Sequence, residues 1–248
     1  MTAQPDLIVL AGGRGSRLGG ALKPAVEVAG RTLLSRVLDA RPLARHVVVV
    51  GPPDARPAAT LHAGTWLTLS GPEPSALIWA LEDPPFGGPV AGIAAGLNAL
   101  AANADVQADW LLVLACDLPW GADAARLLVA AASGLDAASP PAPGYAAPGN
   151  TTLSKTTPGD AAPRVDGVHL TDTGGRAQWL AAIYRAPALR AVVARLGDRV
   201  DGASMRQLLA GLNLRGLVDE AETGTDVDTW QDVDSSSARL IRANPTEE

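Results

Sequence analysis

Residues 6–23 read Asp-Leu-Ile-Val-Leu-Ala-Gly-Gly-Arg-Gly-Ser-Arg-Leu-Gly-Gly-Ala-Leu-Lys, and they carry the strongest indication of fold class. The first five residues form a short apolar run that is typical of a buried parallel strand. Five glycines and two arginines follow between residues 10 and 20, and Lys23 closes the segment. Glycines let backbone N–H groups approach a ligand, while arginine and lysine add positive charge. The stretch therefore predicts a strand followed by a phosphate-binding loop.

Two familiar phosphate-binding patterns do not fit this loop. A P-loop requires Gly-x4-Gly-Lys-Ser/Thr, but Ala21 and Leu22 follow the second glycine of such a pair here. The dinucleotide-binding fingerprint requires Gly-x-Gly-x-x-Gly, and Leu18 stands where its last glycine belongs. These mismatches argue against a P-loop ATPase and against a dehydrogenase.

The composition narrows the class of protein and its surroundings. The 248 residues are 47% apolar and 19% charged, as in ordinary globular domains, and the net charge of −6 disfavours nucleic-acid binding. The single cysteine, Cys116, cannot form an internal disulfide and fits a reducing compartment. No apolar run reaches the length of a membrane span, and no signal-peptide pattern occurs. We therefore expect a cytoplasmic protein that binds neither nucleic acid nor membrane, with its oligomeric state left open.

The rest of the chain alternates short apolar runs with helical patterns, which favours an α/β fold with a mostly parallel sheet covered on both faces. The predicted strands cover 6–10, 46–50, 75–81, 110–114, 177–185 and 214–218. The predicted helices cover 32–41, 89–100, 122–132, 188–196, 204–209 and 229–243. Residues 140–163 contain six prolines and few large apolar groups, so we expect a Pro-rich loop inserted in a single domain over 1–248. Residues 244–248 are predicted to be a polar tail.

An aspartate follows the strongest of these strands. Residues 111–120 read Leu-Leu-Val-Leu-Ala-Cys-Asp-Leu-Pro-Trp, so Asp117 comes directly after an apolar run. Ligands bind at the carboxyl edge of parallel sheets, where Asp117 and the glycine loop are expected to meet. Since carboxylate oxygens are ligands that Mg²⁺ prefers, we expect Asp117 to hold Mg²⁺ beside a triphosphate. The alternative is an ordinary turn aspartate before Pro119.

Two more carboxylates occur near the end of the chain. Asp226 and Asp228 are two residues apart, so in extended backbone their side chains face the same way. They either contribute to the metal site or belong to the capped start of the following helix, with Asp228 or Thr229 as the N-cap residue. Both interpretations remain open at the level of sequence.

The glycine loop resembles the signature loop of the nucleotidyltransferases, enzymes that move a nucleoside monophosphate from an NTP to an acceptor. The positions that carry the resemblance are Leu10, Ala11, Gly12, Gly13, Arg17, Gly19 and Lys23. Within that superfamily the chain is most similar to the molybdenum cofactor guanylyltransferases, whose magnesium-binding strand-end motif resembles the run around Asp117. The family often has aspartate directly before the lysine, where this chain has Leu22.

The resemblance implies a three-layer α/β/α sandwich of the nucleotide-diphospho-sugar transferase type. It also implies transfer of GMP from GTP to a phosphate-bearing acceptor, molybdopterin, with Mg²⁺ as cofactor and pyrophosphate as product. The catalytic residues that it implies are Arg14, Arg17 and Lys23, whose positive charges neutralise phosphate charge, and Asp117, which holds Mg²⁺. The nucleotide-binding positions that it implies are Leu10, Ala11, Gly12, Gly13, Lys23, Asp83, Gly92 and Asp117.

Three segments match the family less closely. The run 82–93 resembles its base-binding segment, with Asp83 at the acidic position and Gly92 against the base, although the spacing between them is shorter. Asp226 and Asp228 stand where the family often has two asparagines. Arg176 and Gln178 occur in a run similar to a Gly-Arg-x-Gln segment on the acceptor side, which implies acceptor binding; an exposed turn is the alternative.

The sequence leaves alternatives for the identity of the nucleotide base and for the reaction. Related cytidylyltransferases tend to have alanine at the position of Gly12, so the glycine here favours a purine, and we expect GTP. The alternatives are a cytidylyltransferase or other NTP transferase for a related small phospho-acceptor, and a non-catalytic nucleotide-binding regulator. Lys23 has no apolar pattern around it, so we expect its replacement to impair nucleotide use and leave stability unchanged.

Overall fold

The computed structural model describes residues 4–13, 16–59, 77–103, 108–138 and 164–243. Its β-strands are Asp6–Leu10 (β1), Glu27–Val28 (β2), Arg31–Thr32 (β3), Val47–Val50 (β4), Leu77–Ala80 (β5), Trp110–Ala115 (β6), Gly167–Thr171 (β7), Ala177–Arg185 (β8) and Leu214–Val218 (β9). Its α-helices are Leu33–Val37 (α1), Pro89–Asn103 (α2), Gly121–Ala138 (α3), Ala186–Leu196 (α4), Met205–Leu209 (α5) and Trp230–Ala243 (α6).

Within these ranges seven strands form the central sheet in the order β5-β4-β1-β6-β8-β7-β9. All of them run parallel except β8, which pairs antiparallel with both of its neighbours. The central strands β1 and β4 are buried along their whole length, as expected of apolar, β-branched strands covered on both faces. The prediction of a mostly parallel α/β sheet is therefore confirmed.

Successive side chains of β1 point to opposite faces of the sheet and pack against two different layers of helices. Leu7 and Val9 belong to the core on the side of α1 and α3, while Ile8 and Leu10 belong to the core on the side of α2, α4 and α5. This alternation is the two-residue period of a β-strand. The result is the three-layer sandwich that the sequence predicts.

A third, smaller core joins the end of the chain to the segment after the glycine loop. Its buried residues come from that segment, from β2, from α1 and from the region of α6: Leu18, Val26, Val28, Leu33, Val227, Val233 and Leu240. The backbone N–H of Val227 also donates to the carbonyl oxygen of Asp117 at 3.0 Å. Residues 226–228 are thereby fixed beside the end of β6.

Several elements differ from the predictions. The strand β7 and the β2–β3 hairpin were not predicted, and the helix predicted over 32–41 is α1 followed by a 3₁₀ segment over 38–43 that contains Pro42. Proline lacks the N–H that a continuing α-helix requires. The Pro-rich segment 140–163, the tail 244–248 and Arg14 lie outside the described residues. No helix of the described ranges has the length and apolarity that a membrane crossing requires.

Candidate active site

The carboxyl edge of the sheet brings the sequence-predicted site segments together. Strand β1 pairs directly with β6, with Leu10 opposite Ala115, and the Cys116 N–H donates to the Leu10 carbonyl oxygen at 2.9 Å. Asp117 therefore follows immediately beside the glycine loop, as the sequence predicts. Because β8 runs antiparallel, its first residues also lie at this edge.

A cavity of about 430 Å³ opens at this edge. Its lining comes from the glycine loop, the ends of β4, β5 and β6, the start of α2 and the start of β8: Leu10, Gly12, Gly13, Val50, Gly51, Pro52, Leu81, Glu82, Pro85, Phe86, Gly88, Pro89, Gly92, Ala115, Cys116, Asp117 and Leu180. The volume lies in the range of small-molecule sites, roughly 300–1,000 Å³. Strands β5 and β6 are three strand spacings apart, about 14 Å, which suits a nucleotide lying across the strand ends. Ala11 is fully buried in the core and does not line the cavity, and its N–H donates to the Val50 carbonyl oxygen at 2.7 Å.

Lys23 lies at the centre of an ion-pair cluster beside Asp117. Its Nζ is 2.7 Å from Asp117 Oδ2 and 2.6 Å from Asp228 Oδ1. The Arg17 guanidinium donates to the other oxygen of Asp228 at 2.9 Å, and its side chain is 72% exposed. The sequence places Asp117 near Lys23, but it did not indicate that Lys23 is held in ion pairs with both Asp117 and Asp228.

The charges in this cluster are unequally compensated. Burial alone would lower the pKa of the Lys23 ammonium, but Asp117 and Asp228 raise it above its usual value. Burial raises the pKa of the Asp117 carboxyl, Lys23 lowers it only in part, and the negative charge of Asp226 adds a smaller rise. The hydrogen bond from Lys23 lowers the pKa of Asp228. Asp117 thus lies where an additional positive charge would stabilise its ionised form.

The three predicted metal ligands lie close together. Asp117, Asp226 and Asp228 each offer an oxygen, and these oxygens lie within 4.8 Å of one another. In the described ranges Asp117 Oδ1 is buried and accepts no hydrogen bond. An all-oxygen donor set with one unsatisfied buried carboxylate oxygen fits a hard divalent cation such as Mg²⁺.

The hydrogen bonds at the start of α6 show whether Asp228 caps that helix, which is one of the two roles that the sequence left open. Thr229 and Asp232 cap the helix reciprocally, because Thr229 Oγ1 accepts from the Asp232 N–H and Asp232 Oδ2 accepts from the Thr229 N–H at 2.7 Å. Asp228 uses its own carboxylate for Lys23 and Arg17 instead. The interpretation of Asp228 as the capping residue is therefore wrong.

Glu82 lies on the lining of the cavity, whereas Asp83, the residue predicted from the sequence, is not among the lining residues. Glu82 Oε1 accepts from the Phe86 N–H at 2.7 Å, which closes the loop after β5, while Asp83 lies exposed. A Cβ on Gly12 would lie 3.9 Å from Glu82 Oε1, and one on Gly92 would lie 3.6 Å from Glu82 Oε2. Both predicted glycines therefore flank this carboxylate.

Glu82 carries an electrostatic cost in this position. Burial raises the pKa of its carboxyl, Asp201 adds to the rise, and the Phe86 N–H works against it. Of the described residues that line the cavity, Glu82 and Asp117 alone carry a charge. Glu82 is thus an acceptor set in a largely apolar wall, ready for a ligand group with N–H donors.

The predicted acceptor residues lie at the same edge but apart from this cavity. Gln178 lines a second cavity of about 260 Å³ together with Asp172 and Thr225. Arg176 lies exposed in the turn between β7 and β8, and its backbone N–H donates to Asp172 Oδ1 at 2.8 Å. The side chain of Arg176 lines neither cavity.

A glycine loop after β1, an acidic strand end and a cavity across the carboxyl edge are typical of α/β sandwiches that bind nucleotides, and the matching family model gives the class as NTP transferase. The chain belongs to the family of the MobA-like NTP transferase domain, whose model matches residues 7–215.

A curated relative is named for an activity of this family. A molybdenum cofactor guanylyltransferase of Rhodopseudomonas palustris (strain BisB5) is 35% identical over 115 residues, which are 46% of this chain and 48% of that protein. The chain thus matches about half the length of this curated relative.

Solved structures share the fold at low identity. The molybdopterin-guanine dinucleotide biosynthesis protein A of Archaeoglobus fulgidus is 18% identical, with a TM-score of 0.59 over 96% of this chain and 99% of that one. The 2-C-methyl-D-erythritol 4-phosphate cytidylyltransferase of Thermus thermophilus is also 18% identical, with a TM-score of 0.56 over 97% of this chain and 100% of that one. At such identity these similarities show the fold alone.

Proposed function

We propose that the protein transfers GMP from GTP to a phosphate-bearing acceptor and releases pyrophosphate. The observation that carries this proposal is the continuous cavity that extends from Glu82 to Asp117, with Lys23 paired to that aspartate. It supplies an acceptor for a base at one strand end and a charged cluster for phosphates at another. The names of the molybdenum cofactor guanylyltransferases favour molybdopterin as the acceptor.

The chemistry requires positioning more than proton transfer. A phosphate oxygen of the acceptor bonds to the α-phosphorus of GTP while the bond to the β-phosphate oxygen breaks, and the electron pair leaves with pyrophosphate. The acceptor phosphate needs no general base, because the second pKa of a phosphate monoester is about 6. Catalysis then depends on holding the two phosphates in line and neutralising their charge.

The residues of the ion-pair cluster have roles in that scheme. We infer that Lys23 and Arg17 exchange their carboxylate partners for phosphate oxygens when the triphosphate binds. Asp117, with Asp226 and Asp228, would hold Mg²⁺. That ion supplies Lewis-acid polarisation and charge neutralisation.

Guanine is the base whose donors match Glu82. Guanine presents N–H donors at N1 and at its exocyclic amine, whereas adenine has an acceptor at N1. Against adenine, the half-buried carboxylate of Glu82 would face an acceptor with its Oε2 unpaired, which costs free energy. Gly12 leaves space beside that carboxylate for a flat ring, whereas the space at Gly92 is taken by Leu10, whose Cδ2 would lie 3.0 Å from a Cβ there.

The Glu82→Gln variant tests the base assignment. We expect it to lose the preference for GTP over ATP by about tenfold or more, because an uncharged amide no longer offers two acceptor oxygens to guanine. Competitive binding of GTP, ATP and CTP with Mg²⁺ measures the preference. The matched control is Asp83→Asn, the same kind of change one residue away on an exposed side chain, which should leave the preference intact. Loss of preference in the control and not in Glu82→Gln would return the role to Asp83.

The reaction itself is tested with each NTP, Mg²⁺ and candidate acceptors. Formation of pyrophosphate together with a product heavier by one GMP supports the proposal. Tighter binding of CTP than of GTP would instead support a cytidylyltransferase. Binding of nucleotide without release of pyrophosphate, whichever acceptor is added, would support a non-catalytic nucleotide-binding protein.

We also propose that the acceptor binds near Gln178, since the cavity lined by Gln178 is at the same edge of the sheet.

A further inference from the structure

Phe86 is the one phenylalanine of the chain, and it lies on the lining of the nucleotide cavity. It is 61% exposed, although burying an aromatic ring of this size is a large favourable contribution in folding. Single exposed apolar residues are common, so exposure alone assigns no role. The backbone at Phe86 provides the second observation.

Phe86 adopts a left-handed conformation, with φ +68°. This region is costly for a bulky side chain and is normally left to glycine or asparagine. Gly87 and Gly88 follow directly, and a glycine would adopt the left-handed conformation without strain. The aromatic residue nevertheless occupies the strained position. Strain of this kind persists where the surrounding structure imposes it, and it is concentrated at ligand sites.

The surrounding structure does fix this conformation. On one side, the Phe86 N–H donates to Glu82 Oε1 at 2.7 Å. On the other side, the Gly87 carbonyl oxygen accepts from the Gly202 N–H at 2.8 Å. Gly87 is also tightly enclosed, because a Cβ there would lie 2.7 Å from Asp201 Oδ1. The backbone that carries the ring is therefore held at the cavity wall by a hydrogen bond on each side.

We propose that Phe86 is a base-stacking residue, whose ring covers the face of the nucleobase while Glu82 binds the edge of that base. The inference rests on the proposed function for the presence of a nucleotide, and it adds a recognition element that does not depend on the identity of the base. The hydrogen bond between Glu82 and the Phe86 N–H fixes the two elements relative to each other. Aromatic faces bind bases with little sequence preference because every base has a π-face.

The proposal separates the effects of the two residues. Glu82 controls the ratio of GTP to ATP affinity, whereas Phe86 controls the affinity for both nucleotides equally. Neither residue contributes to the binding of inorganic tripolyphosphate, which has no base. A merely structural role for Phe86 would weaken all three probes together.

The test uses the full chain and the variants Phe86→Gly, Phe86→Leu and Phe86→Tyr, with Ile241→Ala as control. Ile241 is similarly exposed, at 55%, but lies on α6 away from the cavity. Affinities for GTP, ATP and tripolyphosphate are measured by calorimetry with Mg²⁺. We expect Phe86→Gly and Phe86→Leu to bind GTP and ATP about tenfold more weakly, the scale of one lost base–aromatic contact, with tripolyphosphate unchanged. Phe86→Tyr and Ile241→Ala should match the wild type.

One further readout comes from stability. Phe86→Gly relieves the left-handed strain, so its melting temperature should be no lower than that of the wild type while its GTP affinity falls. GTP and ATP affinities within twofold of wild type in Phe86→Gly would overturn the proposal, as would equal weakening of tripolyphosphate. Failure of the proposed function has a different signature, since the wild-type protein itself would then prefer another nucleotide or bind none.

Discussion

Asp117→Asn is expected to lower turnover by about a hundredfold or more, the scale of losing a key electrostatic group in an active site. The asparagine keeps the shape of the side chain but removes the negative charge at the buried strand end. Because burial raises the pKa of Asp117, its ionised form is costly in the folded protein at neutral pH. Removing that charge should leave the melting temperature unchanged or slightly higher, and Lys23 keeps Asp228 as a partner.

Pyrophosphate release as a function of Mg²⁺ concentration measures this effect, and thermal unfolding measures stability. The matched control is Asp123→Asn on α3, which makes the same charge change at an exposed side chain paired with Arg126. It should turn over GTP like the wild type. Wild-type turnover with unchanged Mg²⁺ dependence in Asp117→Asn would contradict the role of Asp117 in the metal site.

The fold could be predicted from the sequence because its strands are short, apolar and bounded by clear turns. Runs such as Val47–Val50 and Trp110–Ala115 indicate buried strands on their own. The missed strand β7 begins with Gly167 and contains His169, so its sequence lacks that pattern. Its burial comes from tertiary contacts, including the packing of the His169 ring against Trp179 at 4.5 Å between centroids.

The site was predictable where it depends on strand order and not where it depends on loop closure. Asp117 and Lys23 could be placed together because each follows a strand that ends at the same edge. The position of Glu82 on the cavity lining is fixed by a hydrogen bond from the Phe86 N–H, which no periodicity encodes. The pairing of Lys23 with Asp228 links residues 205 positions apart and arises only from the packing of α6 beside the glycine loop.

The Lys23→Ala variant is expected to lose both nucleotide turnover and stability, which differs from the expectation based on sequence. Lys23 and Asp117 are 13% and 17% exposed in their side chains, so deleting the lysine leaves a nearly buried carboxylate without its partner. Fully buried pairs cost ~3–5 kcal/mol when one partner is removed, and we expect about 2 kcal/mol here because solvent reaches the cluster. That corresponds to a lowering of the melting temperature by roughly 5 °C for a chain of this size.

The double variant Lys23→Ala/Asp117→Asn separates the two effects of Lys23. Removing the uncompensated charge should restore most of the lost melting temperature without restoring turnover, since phosphate neutralisation still lacks the lysine.

The uncompensated charge of Asp117 also sets the pH dependence of stability in the single variant Lys23→Ala. The pKa of Asp117 is raised in the folded protein and rises further without Lys23, so protonation favours the folded state: the stability deficit is smallest at acid pH and grows as pH increases through that raised pKa. Added Mg²⁺ should also reduce the deficit at neutral pH by replacing the missing positive charge. A deficit that is the same at acid and neutral pH and unaffected by the second substitution would show that Lys23 stabilises the protein through its stem and not through its charge.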